Sequence, residues 1–278
     1  RRGYAVMVPM RSGFSLSSGH YISSGCNIES NGLMQAKDVR VALDYAKELA
    51  YVDAGRVLVM GQSHGGLTTL ALGADPYPGV LGLVNFAGGL RTNTCAAWER
   101  SLVAAFAAYG EKSRLPTLWF YGDNDSYWSK ETSAAMFSAY VGAGGKARMV
   151  AFGTFKGGDA HGMFGHRDGL AIWWPEVEKF LLELGLPTQR VPRTETNDPV
   201  SFRLQAAAAT LNLSERCRTL FRTFLDVDYP RAFAVSETSC GYAYGGDNPK
   251  QRALDLCRGK NDAQCRLFVV DDGTVEVQ

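Results

Sequence analysis

The feature that most constrains this chain is a serine flanked by glycines, between an apolar run and a helix-compatible stretch. Residues 61–65 read Gly-Gln-Ser-His-Gly, the form G-x-S-x-G; the apolar run 57–60 precedes them and the stretch 67–72 follows. Strand, sharp turn and helix in this order are the context of a nucleophile elbow, which holds a serine hydroxyl clear of the sheet. The turn strains the serine backbone and is expected to require small residues two positions before and after it. Ser63 is therefore the candidate nucleophile, with a plain glycine-rich turn as the alternative.

Length and charge bound the class of protein. The 278 residues suffice for one large α/β domain, or for one domain with a small appendage. A net charge of +1 without long runs of one sign argues against nucleic acid or an anionic membrane as the main partner. No apolar run approaches the roughly 20 residues that span a bilayer. The first residue is Arg1 and no signal peptide is visible, so we expect a processed form or a fragment of a longer chain.

The cysteine pattern bears on metal binding and on compartment. None of the six cysteines has C-x-x-C spacing, and the four histidines do not cluster with them, so neither a metal nor another cofactor is expected. An even count fits three disulfides in a secreted or periplasmic protein; reduced thiols in the cytosol are the alternative. Six cysteines allow 15 pairings, and the sequence does not choose among them. We expect Cys26–Cys95, Cys217–Cys240 and Cys257–Cys265, a set that keeps each bridge within one domain.

Apolar strands alternate with helical patterns over the first two thirds of the chain. Strands are predicted at 3–9, 56–60, 80–86, 117–121 and 147–152, and helices at 33–51, 96–109, 131–143 and 173–185. Continuous apolar strands between helices indicate an α/β fold with a mostly parallel sheet and helices on both faces.

The pattern changes after a proline-containing stretch. Residues 187–199 read as a linker between a domain at 1–186 and a small, cysteine-containing α+β domain at 200–278. In the second domain we predict a helical region at 200–225, a strand near 232–235, a Gly/Tyr-rich turn at 240–246 and a helix near 249–258. A strand pair at 266–270 and 274–277, with its turn at 272–273, follows.

Candidate acid and base groups follow the later strands. A serine nucleophile needs a base, and the base needs an acid that orients it. Such groups gather at the carboxyl ends of strands in open α/β sheets. Asp123 and Asp125 follow the strand at 117–121, and His161 follows the strand at 147–152. The chain order is thus serine, acid, histidine.

Three ordered motifs carry a resemblance to a known family. They are Gly-Gln-Ser-His-Gly-Gly at 61–66, Tyr-Gly-Asp-Asn-Asp at 121–125 and Asp-Ala-His-Gly at 159–162, with support from residues 3–6 and 11–13. Residues 1 to about 186 resemble an α/β-hydrolase, most of all its dienelactone-hydrolase and prolyl-oligopeptidase-type branch. The resemblance implies a serine hydrolase and does not extend to the region from about 200 onward.

The resemblance also implies roles for single residues. In that branch the acid is the aspartate three residues after the strand-end glycine, which favours Asp125 over Asp123. Ser63 would attack an acyl carbonyl while His161 removes its proton, and Asp125 would orient His161. The backbone N–H of His64, at a helix N-terminus, would stabilise the oxyanion.

The other histidine side chains are expected outside the catalytic set. His166 is expected at the surface or capping a turn, and it is the less favoured base. The His64 side chain is expected to pack or line a pocket rather than act as a second base. His20 is expected to be exposed in a loop.

The family's second oxyanion donor lies in a loop after its third strand, upstream of the strand that residues 3–9 resemble. We therefore expect an N-terminally truncated hydrolase. Its sheet would have a gap, or the strand at 3–9 would pair directly with the elbow strand. Losing one oxyanion donor typically costs about 10²–10³ in turnover.

Several large side chains near the acid and base loops are candidates for a substrate pocket, with ordinary packing as the alternative. They are Tyr127, Trp128, Phe155, Met163 and Phe164. The leading prediction is cleavage of a small-molecule or polymer carboxylic ester. A peptidase of the same branch and a non-catalytic binding protein of the same fold are the alternatives. The sequence does not indicate an oligomeric state.

Overall fold

The computed structural model describes residues 2–21, 25–191, 198–227, 229–259 and 264–275. The chain divides into two compact units, Arg1–Arg190 and Val191–Gln278. Each has its own sheet and its own buried core.

The first unit alternates helices and strands. Its elements are α1 (Ile28–Lys47), β1 (Val57–Gln62), α2 (His64–Ala74), β2 (Val80–Phe86), α3 (Trp98–Lys112), β3 (Pro116–Tyr121), α4 (Lys130–Gly142), β4 (Lys146–Ala151) and α5 (Leu170–Glu183). Two short 3₁₀ helices, Ala160–Gly165 and Arg167–Gly169, lie between β4 and α5. The predicted strands from 56 to 152 are confirmed to within two residues.

Helix α1 begins five residues before its predicted start. The apolar pattern begins at Leu33, but the helix already includes Ile28, which is buried, and Gly32. A residue larger than glycine does not fit at position 32, because the Tyr109 hydroxyl and Ala71 occupy the space where a Cβ would lie. A close helix–helix approach, rather than a turn, explains this glycine.

The four strands of this unit form one parallel sheet in the order β1-β2-β3-β4. Successive residues of β3 face opposite sides of the sheet. Trp119 and Tyr121 belong to the core that helices α1 to α4 cover, whereas Leu118 and Phe120 belong to the core under α5. The α/β fold with a parallel sheet and helices on both faces is therefore confirmed. All four carboxyl ends lie at one edge, which is where the site forms.

The strand predicted at 3–9 is wrong. These residues form no ladder with any described strand, and Val6 and Val8 are each 84% exposed. Both ends of the segment are held by side chains: the Tyr4 hydroxyl donates to the Pro187 carbonyl, and Arg11 donates to the Thr68 hydroxyl at 2.7 Å. An apolar run becomes a buried strand only beside a partner strand and under a covering layer. In the described sheet β1 is an edge strand that pairs only with β2, so the direct pairing of residues 3–9 with the elbow strand does not occur. The expectation that this chain is an N-terminally truncated hydrolase stays a prediction.

The second unit packs helices on both faces of an antiparallel sheet. Its elements are α6 (Pro199–Ala209), α7 (Glu215–Phe224), β5 (Arg231–Val235), β6 (Cys240–Tyr244), α8 (Pro249–Arg258), β7 (Arg266–Val270) and β8 (Gly273–Thr274). The strand order is β6-β5-β7-β8. Phe233 packs with Phe221 and Phe224 of α7, whereas Ala232 and Ala234 pack with Ala253 of α8. Part of the predicted linker, 192–197, and the end of the last predicted strand, 276–277, lie outside the described residues.

Two predictions in this unit need correction. The helical region at 200–225 is two helices, because residues 210–214 leave the helix and the Ser214 hydroxyl caps α7 by accepting from the Cys217 N–H. Residues 240–244 are a strand rather than a turn. Gly241 is small because α8 packs so closely that a Cβ would lie 2.5 Å from the Cys257 nitrogen. The turn itself is at Gly245 and Gly246, both with positive φ.

The three predicted disulfides are confirmed: Cys26–Cys95 in the first unit, and Cys217–Cys240 and Cys257–Cys265 in the second. The first joins the residues just before α1 to the loop before α3. The second joins α7 to β6 within the second core.

Candidate active site

Ser63 occupies a strained turn between β1 and α2. Its φ of 54° and ψ of −123° are outside the regions that non-glycine residues ordinarily adopt. The Ser63 N–H donates to the Phe86 carbonyl at 2.9 Å, and the Ser63 carbonyl accepts from the Gly89 N–H at 3.0 Å. These bonds to the end of β2 hold the backbone in this conformation. A strained serine between strand and helix is the predicted elbow geometry.

The glycines around the elbow do not all serve the same purpose. A Cβ at Gly61 would collide with the Gly65 carbonyl, and a Cβ at Gly66 would lie 2.6 Å from the Gly88 Cα. A Cβ at Gly65 would meet nothing within 4 Å. The expectation that both positions two residues from the serine must be small is therefore wrong for the second one. The close approaches are at Gly61 and Gly66.

Asp125 and His161 come together at the carboxyl edge of the sheet. The His161 Nδ1 lies 3.1 Å from each carboxylate oxygen of Asp125. The Asp125 side chain is fully buried, and that of His161 is 12% exposed. The N–H groups of Tyr127 and Trp128 also donate to Asp125 Oδ1, at 2.8 and 3.0 Å. The buried carboxylate thus orients the ring and fixes Nδ1 as the protonated nitrogen, so that Nε2 is left to accept a proton.

A second aspartate supports the histidine loop. Asp159 accepts from the Ser126 hydroxyl at 2.5 Å, from the Ser126 N–H at 3.0 Å and from the His161 N–H at 2.9 Å. Burial raises the pKa of the Asp159 carboxyl, but the hydrogen bonds from Ser126 and His161 lower it by more, so its pKa lies below the usual value. Asp159 therefore ties the loop that carries Asp125 (the acid loop) to the loop that carries His161 (the histidine loop). No local sequence pattern indicates this role.

Gln62 was also not predicted to contribute. It is the last residue of β1, and its Nε2 donates to the His161 carbonyl at 2.6 Å. On the other side of the histidine loop, Asn124 donates to the carbonyls of Phe155 and Gly158 at 3.2 and 2.8 Å. All three bonds join residues far apart in sequence, so no local pattern indicates them.

The side chain of His64 lies away from the Asp125–His161 pair, against the segment that precedes α1. Its Nε2 is 2.6 Å from Asn31 Oδ1, and its ring packs beside those of Phe14 and Tyr21 at 6.1 and 5.9 Å. Burial, and after it the positive charge of Arg11, lowers the pKa of His64 to about 4. The side chain is thus a neutral packing group at neutral pH. Its backbone N–H is in the first turn of α2, where helical N–H groups lack an intrahelical acceptor.

The less favoured residues occupy peripheral positions. Asp123 is 39% exposed and lies 3.7 Å from Lys130 Nζ. His166 caps the second 3₁₀ helix by accepting from the Asp168 N–H, and His20 is exposed.

The pocket candidates separate into one exposed residue and a buried group. Tyr127 is 49% exposed, and its ring centroid lies 4.3 Å from that of His161. Trp128, Met163 and Phe155 are buried in the cores, and the half-buried Phe164 packs against Phe86 with tilted rings whose centroids are 4.3 Å apart. Packing accounts for this second group.

A buried polar chain supports the loop behind the nucleophile. The Asn85 amide donates to the Tyr121 hydroxyl at 3.1 Å, and that hydroxyl donates to the Gly88 carbonyl at 2.7 Å. The Trp128 indole donates to the Ala87 carbonyl at 2.7 Å. These bonds position residues 87–89. Within this loop, the Gly89 N–H donates to the Ser63 carbonyl.

The described residues also bear on metal binding and on membrane insertion. Within them no group of three or more His, Cys, Asp or Glu side chains is arranged to hold a metal ion. No helix in those ranges combines the length and apolar character needed to cross a membrane.

Comparison with known proteins supports the resemblance that the motifs carry. Residues 1–80, which include Ser63, match the model of the prolyl oligopeptidase family. No curated protein matches the chain.

Several solved structures are similar to parts of the chain. A Klebsiella pneumoniae protein described as a dienelactone hydrolase is 19% identical over 55% of this chain and 61% of its own, with a TM-score of 0.42. Dipeptidyl peptidase 4 of Porphyromonas gingivalis is 20% identical over 55% of this chain and 23% of its own, with a TM-score of 0.42. Est1E of Butyrivibrio proteoclasticus with bound ferulic acid is 19% identical over 63% and 74%, with a TM-score of 0.44. The chain thus spans less than two thirds of the first two proteins.

Proposed function

We propose that this protein is a serine hydrolase that cleaves carboxylic esters through an acyl-enzyme formed on Ser63. The observation that carries the proposal is the buried Asp125 carboxylate 3.1 Å from His161 Nδ1, beside an elbow that holds Ser63 at a positive φ. Nucleophile, base and orienting acid then have the order and roles of a serine triad.

In the proposed reaction, the Ser63 oxygen forms a bond to the ester carbonyl carbon and its proton passes to His161 Nε2. Asp125 stabilises the resulting imidazolium. The backbone N–H of His64 donates to the oxyanion. The carbon–oxygen bond to the alcohol breaks as His161 returns the proton to the leaving oxygen, and water then hydrolyses the acyl-enzyme by the same steps.

An ester is the favoured substrate because its carbonyl is less stabilised by resonance than an amide carbonyl, and its leaving group is the weaker base. A peptidase is the second candidate, supported by the match of residues 1–80 to the prolyl oligopeptidase family. We further propose a small-molecule or polymer ester as substrate and a location outside the cytoplasm. The three disulfides support that location, because such bonds persist in oxidising compartments.

The test is hydrolysis of p-nitrophenyl acetate and butyrate by the parent chain, Ser63→Ala and His161→Ala. We expect both variants to fall to the background rate, while His166→Ala, the matched control, keeps the parent rate. Labelling by a fluorophosphonate should require Ser63. Activity lost in His166→Ala but not in His161→Ala would overturn the assignment of the base. Ser63-dependent turnover of p-nitroanilides would favour the peptidase, since an esterase should leave these amides uncleaved. A parent chain that neither turns over nor labels would favour a binding protein.

A further inference from the structure

We propose that Gln62 is a positioning residue that sets the distance between the nucleophile and its base; the inference rests on the proposed function. Gln62 directly precedes Ser63 in β1, and its Nε2 donates to the main-chain carbonyl of His161 at 2.6 Å. One side chain therefore connects the strand that carries the nucleophile to the residue that carries the base.

The Gln62 bond controls the position of the His161 backbone, which Asp125 does not control. Asp125 holds the imidazole through Nδ1, which fixes the rotation of the ring. The position of the histidine backbone is determined separately: its N–H donates to Asp159 at 2.9 Å, and its carbonyl accepts from Gln62. Asp159 in turn binds Ser126 on the acid loop, so that contact ties the base to the acid and not to the serine.

The contact with the nucleophile strand has no substitute nearby. Between residues 61–66 and residues 159–165, all of which the structure describes, Gln62 makes the one hydrogen bond. The histidine sits in a short 3₁₀ helix, Ala160–Gly165, whose hydrogen bonds hold less firmly than those of an α-helix. Without the Gln62 amide, this loop could move relative to Ser63 while the Asp125–His161 pair stays intact.

The chemical consequence falls on proton transfer. His161 must accept the serine proton and then deliver it to the leaving oxygen, and both steps depend on the separation of the two side chains. A displacement of about 1 Å in such a geometry can cost about 10²-fold in rate. Esters with strongly basic leaving groups depend most on the returned proton, so they should be the most sensitive.

The experiment compares phenyl acetate, the poorer leaving group, with p-nitrophenyl acetate in the parent chain, Gln62→Met and Gln62→Glu. Methionine keeps the length of glutamine without a donor, and glutamate keeps its shape but has a carboxylate that accepts. We expect kcat/KM, which reports formation of the acyl-enzyme, to fall about tenfold for p-nitrophenyl acetate and about 100-fold for phenyl acetate in both variants. The comparison uses kcat/KM because both esters give the same acetyl-enzyme, whose hydrolysis contributes equally to the two kcat values. Gln251→Met is the matched control: Gln251 makes a side-chain bond of the same kind, to Asp255 at 2.8 Å on exposed α8, and its loss should leave both rates unchanged.

Each result decides between the two proposals. A parent chain no faster than Ser63→Ala removes the proposed function and the positioning role with it. If the parent is active and the Gln62 variants hydrolyse both esters at the parent rates, the proposed function stands and the positioning role is overturned. The same holds if the rates for both esters fall by the same factor, because a smaller folded fraction lowers both rates equally. If Gln62→Met does not fold, judged by tryptophan fluorescence, Gln62→Glu alone decides.

Discussion

The negative charge at Asp125 is the residue-scale feature on which the proposed chemistry most depends. In Asp125→Asn, the amide oxygen can still accept from the Tyr127 and Trp128 N–H groups, but the amide NH₂ would face His161 Nδ1 and favour the wrong tautomer. We expect kcat/KM for p-nitrophenyl acetate to fall by about 10⁴-fold with the fold retained. Asp123→Asn is the matched control, and its loss of an exposed ion pair should change the rate by less than about twofold. A larger loss in the control would transfer the acid role to Asp123.

Protonation of His64 should make the first unit acid-sensitive. Its folded-state pKa of about 4 lies below the ordinary value of about 6.5. Between these values the unfolded chain binds a proton that the folded chain does not, so stability is fully present above about pH 6.5 and falls as the pH drops to about 4. The loss is at most roughly 3–4 kcal/mol, because the two pKa values differ by about 2.5 units and one unit is worth about 1.4 kcal/mol.

Urea unfolding at pH 7.5 and pH 4.5 measures this loss. All five tryptophans lie in the first unit, so their fluorescence reports that unit. We expect His64→Gln to lose less stability between the two pH values than the parent does, whereas His20→Gln, at an exposed position, should lose as much as the parent. Equal losses in the parent and His64→Gln would show that other groups cause the acid sensitivity.

At the scale of the strand–turn–helix element, two glycines in the same motif should respond in opposite ways to one added methyl group. In Gly61→Ala the Cβ would collide with the Gly65 carbonyl, which can move only with the first turn of α2. We expect a loss of stability of roughly 2 kcal/mol or more and of most activity. In Gly65→Ala the Cβ enters open space within a helix, where alanine is favoured over glycine by up to about 1 kcal/mol. Thermal unfolding and ester hydrolysis on both variants test this pair, and an inactive, destabilised Gly65→Ala would contradict it.

The sequence predicts well those strands that lie beside other strands of the same apolar pattern in the sheet. Strands β2 and β3 are mostly apolar runs between helices, and each of the strands β2 to β4 has a partner on at least one side in the described sheet. Residues 3–9 have a similar composition but no such partner, and composition alone does not reveal that. Gly241 was taken for a turn residue because nothing in the sequence indicates that α8 packs against it.

The candidate triad was predictable because its residues follow strand ends, and parallel strand ends meet at one edge. The residues that hold the triad in place were not. Gln62 reaches a carbonyl 99 residues away, and Asp159 reaches a hydroxyl 33 residues away. Such partners are determined by the packing of loops, which has no period in the sequence.

At the scale of the whole molecule, the two units rely on disulfides to different degrees. The first has two large apolar cores, one on each face of its sheet. The second is a small unit with two disulfides, and small domains often lack enough buried surface to be stable without such bonds. Cross-links therefore contribute a larger share of stability in the second unit.

The two disulfides of the second unit should differ in what they contribute. In the chain-entropy account a cross-link stabilises the folded state by lowering the conformational entropy of the unfolded chain. For the 23-residue separation of Cys217 and Cys240 this stabilisation is about 3 kcal/mol. For the 8-residue separation of Cys257 and Cys265 the same account gives about 1 kcal/mol less. Hydrogen exchange of the β5 and β7 amides in the full chain measures the difference. We expect protection to fall further when the first pair is replaced by alanine than when the second pair is. An equal or reversed loss would mean that packing around the cystines, rather than loop length, determines how much each bridge stabilises this unit.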